Sequence, residues 1–283
     1  MNGLVKAEFR KIFTTHLWWA LLLPVAVLSF LAGWGGAALG QTDLVLEMTR
    51  GQKLPTGLLT MSLSTNNVTV FAVLLGALAV TGEYRQKTVT TTFLTANPRG
   101  AVLGAKLIAY TNVALLYGLV NALCSSLGGL VGLGADGFGE LPQWLMVGGA
   151  GLLSMVLWTL VGIGLGALVT NSVAAVLIIL GYLLVFEGMA SSALTQTPVS
   201  WLTDYLPGEA SSGIVGNVSV PMFISDVAGA REPFVSKTAF QLLHSAFGGS
   251  YGFPWWGSLL VFVGYAAVFV AGGWLATAKR DIL

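Results

Sequence analysis

One Gly-x-Ser-x-Gly string, Gly248-Gly249-Ser250-Tyr251-Gly252, follows His244 closely and is the nearest this sequence comes to a nucleophilic serine. A nucleophile elbow needs a strand before the serine and a helix after it. Here the string lies in a Gly-rich run that ends at Pro254, so it reads as a loop. The other reactive chemistries lack material. His16 and His244 are the two histidines, and no HExxH occurs. A zinc site draws three or four protein ligands, so no metal site is expected. Cys124 is the single cysteine, which rules out an internal disulfide. No Lys follows a Gly, so the GxxxxGK[ST] phosphate loop is missing as well. The chain is expected to hold no catalytic residues and no cofactor of its own.

What remains are isolated polar side chains in apolar surroundings. Asn66 and Asn67 interrupt one apolar stretch and Glu187 ends another. Such groups are costly in lipid, so they are expected to face protein or a watery cavity, with helix–helix hydrogen bonding as the plain alternative. Asn67-Val68-Thr69 and Asn217-Val218-Ser219 also match glycosylation sequons, a motif short enough to arise by chance.

The elements that carry these residues follow from composition. Of 283 residues, 55% are apolar and 9% charged, against about 25% charged in a typical soluble domain. A soluble chain of this size could not hide that much apolar surface. The net charge of +1 gives no reason to expect nucleic acid as a partner. The expected fold is an all-α membrane protein with six transmembrane helices, a single domain over 1–283. A spanning helix needs about 20 apolar residues. Six stretches qualify: 17–39, 57–82, 104–133, 143–169, 173–190 and 255–277. An amphipathic interfacial helix is expected over 1–16. The apolar run that follows it, 17–39, is too long for a cleavable signal and reads as an uncleaved first span. Leu4, Phe9, Ile12 and Phe13 would form the apolar face of the interfacial helix, with Lys6, Arg10 and Lys11 toward water.

The stretch 191–254 lies outside these spans and is cut by Pro198, Pro207, Pro221, Pro233 and Pro254. Val199-Ser200-Trp201-Leu202 and Ala239-Phe240-Gln241-Leu242-Leu243 are apolar enough to form short outer helices, with re-entry into the membrane left open. Glycines 128, 129, 132, 148, 149, 151, 162, 164 and 166 crowd spans three and four, as close helix packing requires.

Charge placement orients the chain. With a cytoplasmic N-terminus, Lys6, Arg10, Lys11, Arg85, Lys87, Arg99, Lys106, Lys279 and Arg280 fall inside, while Arg50, Lys53, Arg231 and Lys237 fall outside. Nine against four is the bias of the positive-inside rule. Both termini are then cytoplasmic.

The inner loop 83–103 is the most distinctive segment. It opens with Glu83-Tyr84-Arg85, continues through a Thr-rich middle with Thr88 and Thr92, carries an apolar tip at Phe93-Leu94, and stops at Asn97-Pro98-Arg99. Pro98 disfavours helix at Asn97, so a short helix can run from about 84 to 96. A loop resting on lipid headgroups is the plain reading, and a docking helix for a cytoplasmic partner the sharper one.

These residues carry a resemblance. Glu83-Tyr84-Arg85, the Thr run, Asn97-Pro98-Arg99 and Lys106 opening span three look like the permease subunits of ABC type-2 exporters, especially their actinobacterial-type members. The basic helix Val5–Thr15, Tyr205-Leu206-Pro207-Gly208 after span five, and Lys279-Arg280-Asp281 near the end extend the likeness along the whole chain. Gln86-Lys87 departs from it, where many relatives carry a basic residue and then Gly.

The resemblance implies a permease in a bacterial plasma membrane that pairs with a second permease, identical or homologous. Two separate ATPase subunits would hold the ATP and Mg. Glu83, Tyr84, Arg85, Thr88, Thr92, Phe93, Leu94, Pro98 and Arg99 would form the coupling site for the ATPase. Spans two and five would line the substrate path, with Asn66, Asn67, Phe71 and Glu187 as its candidates. The cargo would be apolar or amphipathic, as in multidrug or lipid efflux. The alternative function is a non-catalytic membrane anchor or scaffold subunit of another complex.

Overall fold

A chain segment in hydrocarbon must satisfy its own N–H and C=O groups, so long apolar runs become helices. The computed structural model describes residues 2–39, 56–86, 99–134, 140–228 and 253–279, and every regular element among them is helical. In chain order these are α1 Asn2–Thr14, α2 Leu17–Leu39, α3 Gly57–Arg85, α4 Arg99–Leu133, α5 Leu141–Val169, α6 Ser172–Gly181, α7 Glu187–Thr195, α8 Pro207–Ala228 and α9 Trp255–Lys279. A π-helical turn, Tyr182–Phe186, carries α6 straight into α7, and a 3-10 helix, Ser200–Tyr205, precedes α8. Six helices are long and apolar enough to cross a membrane: α2, α3, α4, α5, the α6–α7 run and α9. These are the six expected from hydropathy. The helices overrun the expected limits, α3 to Arg85, α4 from Arg99 and the fifth to Thr195, because helix continues past the apolar window into residues that simply become polar.

Side-chain chemistry sets several of the ends. Glu140 and Gln143 form a reciprocal capping box at the start of α5, with Pro142 in its first turn. Thr170 closes α5 in a left-handed conformation, φ 59°, and Asn171 then accepts from the N–H groups of Val173 and Ala174 to start α6. Two residues thus suffice to reverse the chain.

The direction of each helix can be read from who meets whom. Gly151 packs on Thr65 and Gly162 on Val73, so α3 and α5 run parallel. Gly33 meets Ser125 and Gly132 meets Ala37, so α2 and α4 run parallel. Gly164 meets Phe269, and the Trp158 and Phe262 rings stand 4.8 Å apart, so α9 runs with α5. Lys106 of α4 reaches Ala79 and Glu83 of α3 while Asn121 reaches Ser64, so α3 and α4 are antiparallel. The result is an up-and-down bundle. One end carries Arg85, Lys106 and Lys279, and the other carries Gly57, Glu140 and Trp255.

α3 is the central helix. In its most apolar stretch 67% of residues are buried, against 17% in α2, in the α6–α7 run and in α9. Its approach to α5 is backbone on backbone. A Cβ on Gly162 would lie 2.1 Å from the Val73 carbonyl oxygen, and one on Gly76 would lie 2.1 Å from that of Thr159. α2 and α4 touch in the same way at Gly128 and Phe30. Close packing of small residues replaces the hydrophobic drive that lipid cannot supply. The glycine crowding read from the sequence has this cause, although Gly149 faces open space.

The stretch after span five departs most from hydropathy. Val199–Leu202 falls at the 3-10 helix, as a short helix was expected there, whereas Ala239–Leu243 lies outside the described residues. α8, by contrast, belongs to the bundle. It buries Ala210, Ser211, Ile214, Val215, Val218, Ser219, Val220 and Phe223 and packs among α3, α5 and α9. Tyr205 meets Tyr265 while Asn217 meets Phe253 and Ser258, so α8 runs antiparallel to α9. Its Ser, Gly and Asn content lowers its hydropathy, but Ser211 and the Asn217 amide nitrogen have partners. Ser211 accepts from Trp158 Nε1 at 2.7 Å and lies 2.8 Å from the Ser154 hydroxyl. Asn217 donates to the Phe253 carbonyl at 2.8 Å.

Candidate functional site

Four charged side chains meet where α1, α3 and α4 converge. Lys106 Nζ donates to Glu8 Oε2 at 2.8 Å, to Glu83 Oε1 at 3.1 Å and to the Ala79 carbonyl at 3.3 Å. Lys11 Nζ donates to Glu8 Oε1 at 2.8 Å and to Glu83 Oε1 at 2.9 Å. Each carboxylate therefore touches both ammonium groups, and the ring of four is neutral. Lys106 uses all three of its N–H donors, the condition for burying an ammonium group. Glu8 is 4% exposed and Lys106 3%. The Lys106 ammonium also stands 5.4 Å from the Tyr110 ring centroid.

Helix geometry assembles this ring. Glu8 and Lys11 are three apart on α1 and share a face. Glu83 ends α3, and Lys106 lies about two turns into the antiparallel α4. Ile12 of α1 is buried beside them and Phe9 packs against the core, whereas Phe13 is exposed. The inward face of α1 thus has a carboxylate at its centre, which the expected face of Leu4, Phe9, Ile12 and Phe13 lacks. Burial by itself would raise the Glu8 carboxyl, but Lys106 and Lys11 outweigh it and hold that group below its usual range. Burial would likewise lower Lys11, but Glu8 and Glu83 outweigh it and hold that ammonium above its usual range.

Of the expected coupling residues, Glu83 is in this ring, Tyr84 packs partly buried against the core and Arg85 is exposed. Arg99 opens α4. Thr88, Thr92, Phe93, Leu94 and Pro98 lie outside the described residues, as do His244 and the Gly248–Gly252 string.

The expected path residues sit in different surroundings. Asn67 is exposed and donates to the Leu63 carbonyl of its own helix at 2.8 Å. Asn66 is half-buried, and Phe71 is half-buried against the core. Glu187 is buried, 7% exposed. Its carboxylate accepts from the backbone N–H groups of Gly208 and Glu209 at the start of α8. The two sequons fall within α3 and α8, and Asn217 is committed to Phe253, so α8 offers its asparagine no free approach.

A second buried polar centre joins the spans. Asn121 Oδ1 accepts from Ser29 at 2.8 Å and from Ser64 at 2.6 Å, and its Nδ2 donates to Thr65 Oγ1 at 2.8 Å. One amide thereby ties α2, α3 and α4 together. These are bonds of the helix–helix type, with all four groups buried.

No model of a known protein family matches the chain, and no curated protein matches it. The geometry of the chain itself therefore carries any reading of its function.

Of the ring, sequence reasoning names Glu83 alone as a site residue; Lys106 and Lys11 enter as orienting charges and in the family resemblance, and Glu8 as part of the basic helix Val5–Thr15. The signal for Lys106 was local: it stands alone in the apolar run Ala101–Tyr110. A lone charge inside an apolar run predicts a partner. Asn121 carried the same signal and was passed over.

Proposed function

We propose that the chain is the membrane-spanning permease subunit of an ATP-binding cassette exporter of the type-2 family, driven by separate ATPase subunits. The observation that carries this reading is the four-charge ring. Residues 87–98 are the covalent link between α3 and α4, and the ring closes across both helices at the root of that link. α1 is locked into the same ring through Glu8 and Lys11. A partner pressing on the link would move α1, α3 and α4 as one piece, because buried, mutually satisfied charges resist separation. An anchor has no need of such a junction, and a machine driven from one end does.

The substrate class follows from what the spans lack. Beyond their end residues, the six described spans carry Lys106 and Glu187 as their charged side chains, and both are occupied by protein partners. An apolar or amphipathic cargo suits such a bundle, whereas an ionic one would find no counter-charge. In this reading the basic end faces the bacterial cytoplasm with both termini, α1 lies at the inner interface, and a second permease completes the path.

The test is purification of the tagged chain from its native membrane in mild detergent, followed by subunit identification and an ATP-hydrolysis assay. Recovery of an ATPase subunit with a phosphate loop supports the reading. Phe93→Asp should then strip that subunit, since burying such a ring contributes about 1.5–3 kcal/mol. Glu83→Gln should retain it while uncoupling hydrolysis from export. A complex containing no ATPase would favour the anchor or scaffold role.

A further inference from the structure

Between Ile179 and Ala210 one side chain is buried, and it is Glu187. Leu183 packs partly against the core, but Leu184, Val185, Phe186 and Met189 are all exposed, as are Trp201 and Tyr205. The apolar side chains of a spanning helix can face lipid, so their exposure is ordinary; the unusual feature is the carboxylate turned inside. α8, which follows at once, is packed on several faces. A loosely held segment thus adjoins a firmly held one, and the two meet at Glu187.

The ties that hold the loose segment are polar and few. Glu187 Oε1 accepts from Gly208 N–H and, at 3.1 Å, from Glu209 N–H. Ser191 donates to the Glu209 carboxylate at 2.9 Å. Tyr265 of α9 donates to the Tyr205 carbonyl at 2.9 Å, and the Tyr205 ring stands edge-on to Phe253 at 5.1 Å. Position 208 must be Gly for the carboxylate to come so close: a Cβ there would lie 2.5 Å from Glu187 Oε2. Among the described residues no ion pair includes Glu187. Its partner is the positive end of α8, two N–H groups that α8 cannot satisfy internally.

The segment has a hinge at one end and a fixed corner at the other. The π turn Tyr182–Phe186 runs directly into Glu187, and such turns are where a helix bends or changes register. At the other end Leu206 is extended, φ −63° and ψ 140°, before Pro207 begins α8.

We propose that residues 187–205 form a movable flap, hinged at the π turn and latched shut by the Glu187 carboxylate on the N-terminus of α8. The protein contacts that fix residues 187–205 are these few polar ties, so a single one can decide their position. Two backbone N–H groups converge on one carboxylate oxygen, so the tie is made twice over. The flap lies against α8 and α9, and its opening would uncover the first turn of α8 while the rest of the bundle stays packed. The device does not depend on the transport reading.

The test is a distance measurement between nitroxide labels in lipid nanodiscs, in a Cys124→Ser background diluted with unlabelled chain. Labels at Thr195→Cys and Leu275→Cys report the flap, and labels at Leu141→Cys and Leu275→Cys report the bundle. Glu187→Ala should move the flap pair toward a second, broader distance population. The open-to-closed ratio should rise by about tenfold or more, the scale set by losing two backbone hydrogen bonds to a buried acceptor. Glu187→Gln keeps an acceptor without the charge and should fall between. Gly208→Ala keeps the charge but places a methyl against it, and should open the flap as Glu187→Ala does. The bundle pair should stay unchanged in all three. An unchanged flap distribution in both Glu187→Ala and Gly208→Ala would overturn the latch. So would an equal disturbance of the bundle pair, which would make Glu187 a general structural cap.

Discussion

At the scale of single residues, the molecule places its charges in pairs of opposite needs. Lys106 would be costly in the spans by itself, and so would Glu8. Each becomes tenable because the other supplies its counter-charge at 2.8 Å. Removing one partner leaves the other buried and uncompensated, which costs about 3–5 kcal/mol. Lys106→Met should therefore lower the thermal midpoint of the purified chain sharply, while Arg10→Met on the exposed side of α1 should leave it within experimental scatter. Scanning-calorimetric or fluorescence melting in nanodiscs checks both, and equal midpoints for the two variants would show that the ring contributes little. The pH dependence follows from the same contacts. Glu8 is held below its ordinary value of 4.5, so its contribution is complete above that value and fades as pH falls through the lowered one. Lys11 is held above its ordinary 10.5, so its contribution is complete below that value and fades as pH rises through the raised one. The ring should be at full strength between the two.

At the scale of elements, glycine positions decide which helices can touch. Gly162 and Gly76 let α3 and α5 meet through their backbones, and Gly128 does so for α2 and α4. Gly149 lies on the same α5 and meets nothing within 4 Å. Gly162→Ala should thus destabilise the bundle by roughly 1–3 kcal/mol, as over-packing does. Gly149→Ala should be neutral or slightly stabilising through helix propensity. Denaturant titration in mixed micelles separates them, and equal behaviour would mean α5 can shift to absorb a methyl. Element scale is also where the sequence was least informative. α8 has the length of a buried helix, but its Ser211, Asn217 and Ser219 make it look like a polar loop. Ser219 donates to Gly216 of its own helix, but Trp158 and Ser154 partner Ser211 and Phe253 partners Asn217, and these come from other parts of the chain.

At the scale of the whole molecule, the bundle has one end rich in Lys and Arg and one that carries Glu140 and the start of α9. Six up-and-down crossings bring Thr14, Arg85, Arg99 and Lys279 to the same side. Single-cysteine labelling in a Cys124→Ser background checks this. Cysteines at positions 99 and 279 should resist an impermeant thiol reagent in intact cells and react after lysis, whereas one at 140 should react in both. Labelling of position 99 in intact cells would reverse the orientation or change the number of crossings.

The sequence by itself determined the all-helical class of this protein and its six helices long and apolar enough to cross a membrane. Both rest on a local quantity, the run of apolar residues, which needs no knowledge of neighbours. It also located the polar exceptions Asn66, Asn67 and Glu187, because a polar group in an apolar run is visible wherever it goes. Only the tertiary structure decided what those exceptions meet. Asn67 turned to its own helix, Glu187 turned to the N-terminus of α8, and Lys106 found Glu8, which is 98 residues away in sequence. A polar side chain fixes the need for a partner through its desolvation cost. The identity of the partner comes from how the helices pack, and that is a property of glycine contacts and helix directions distributed over the whole chain.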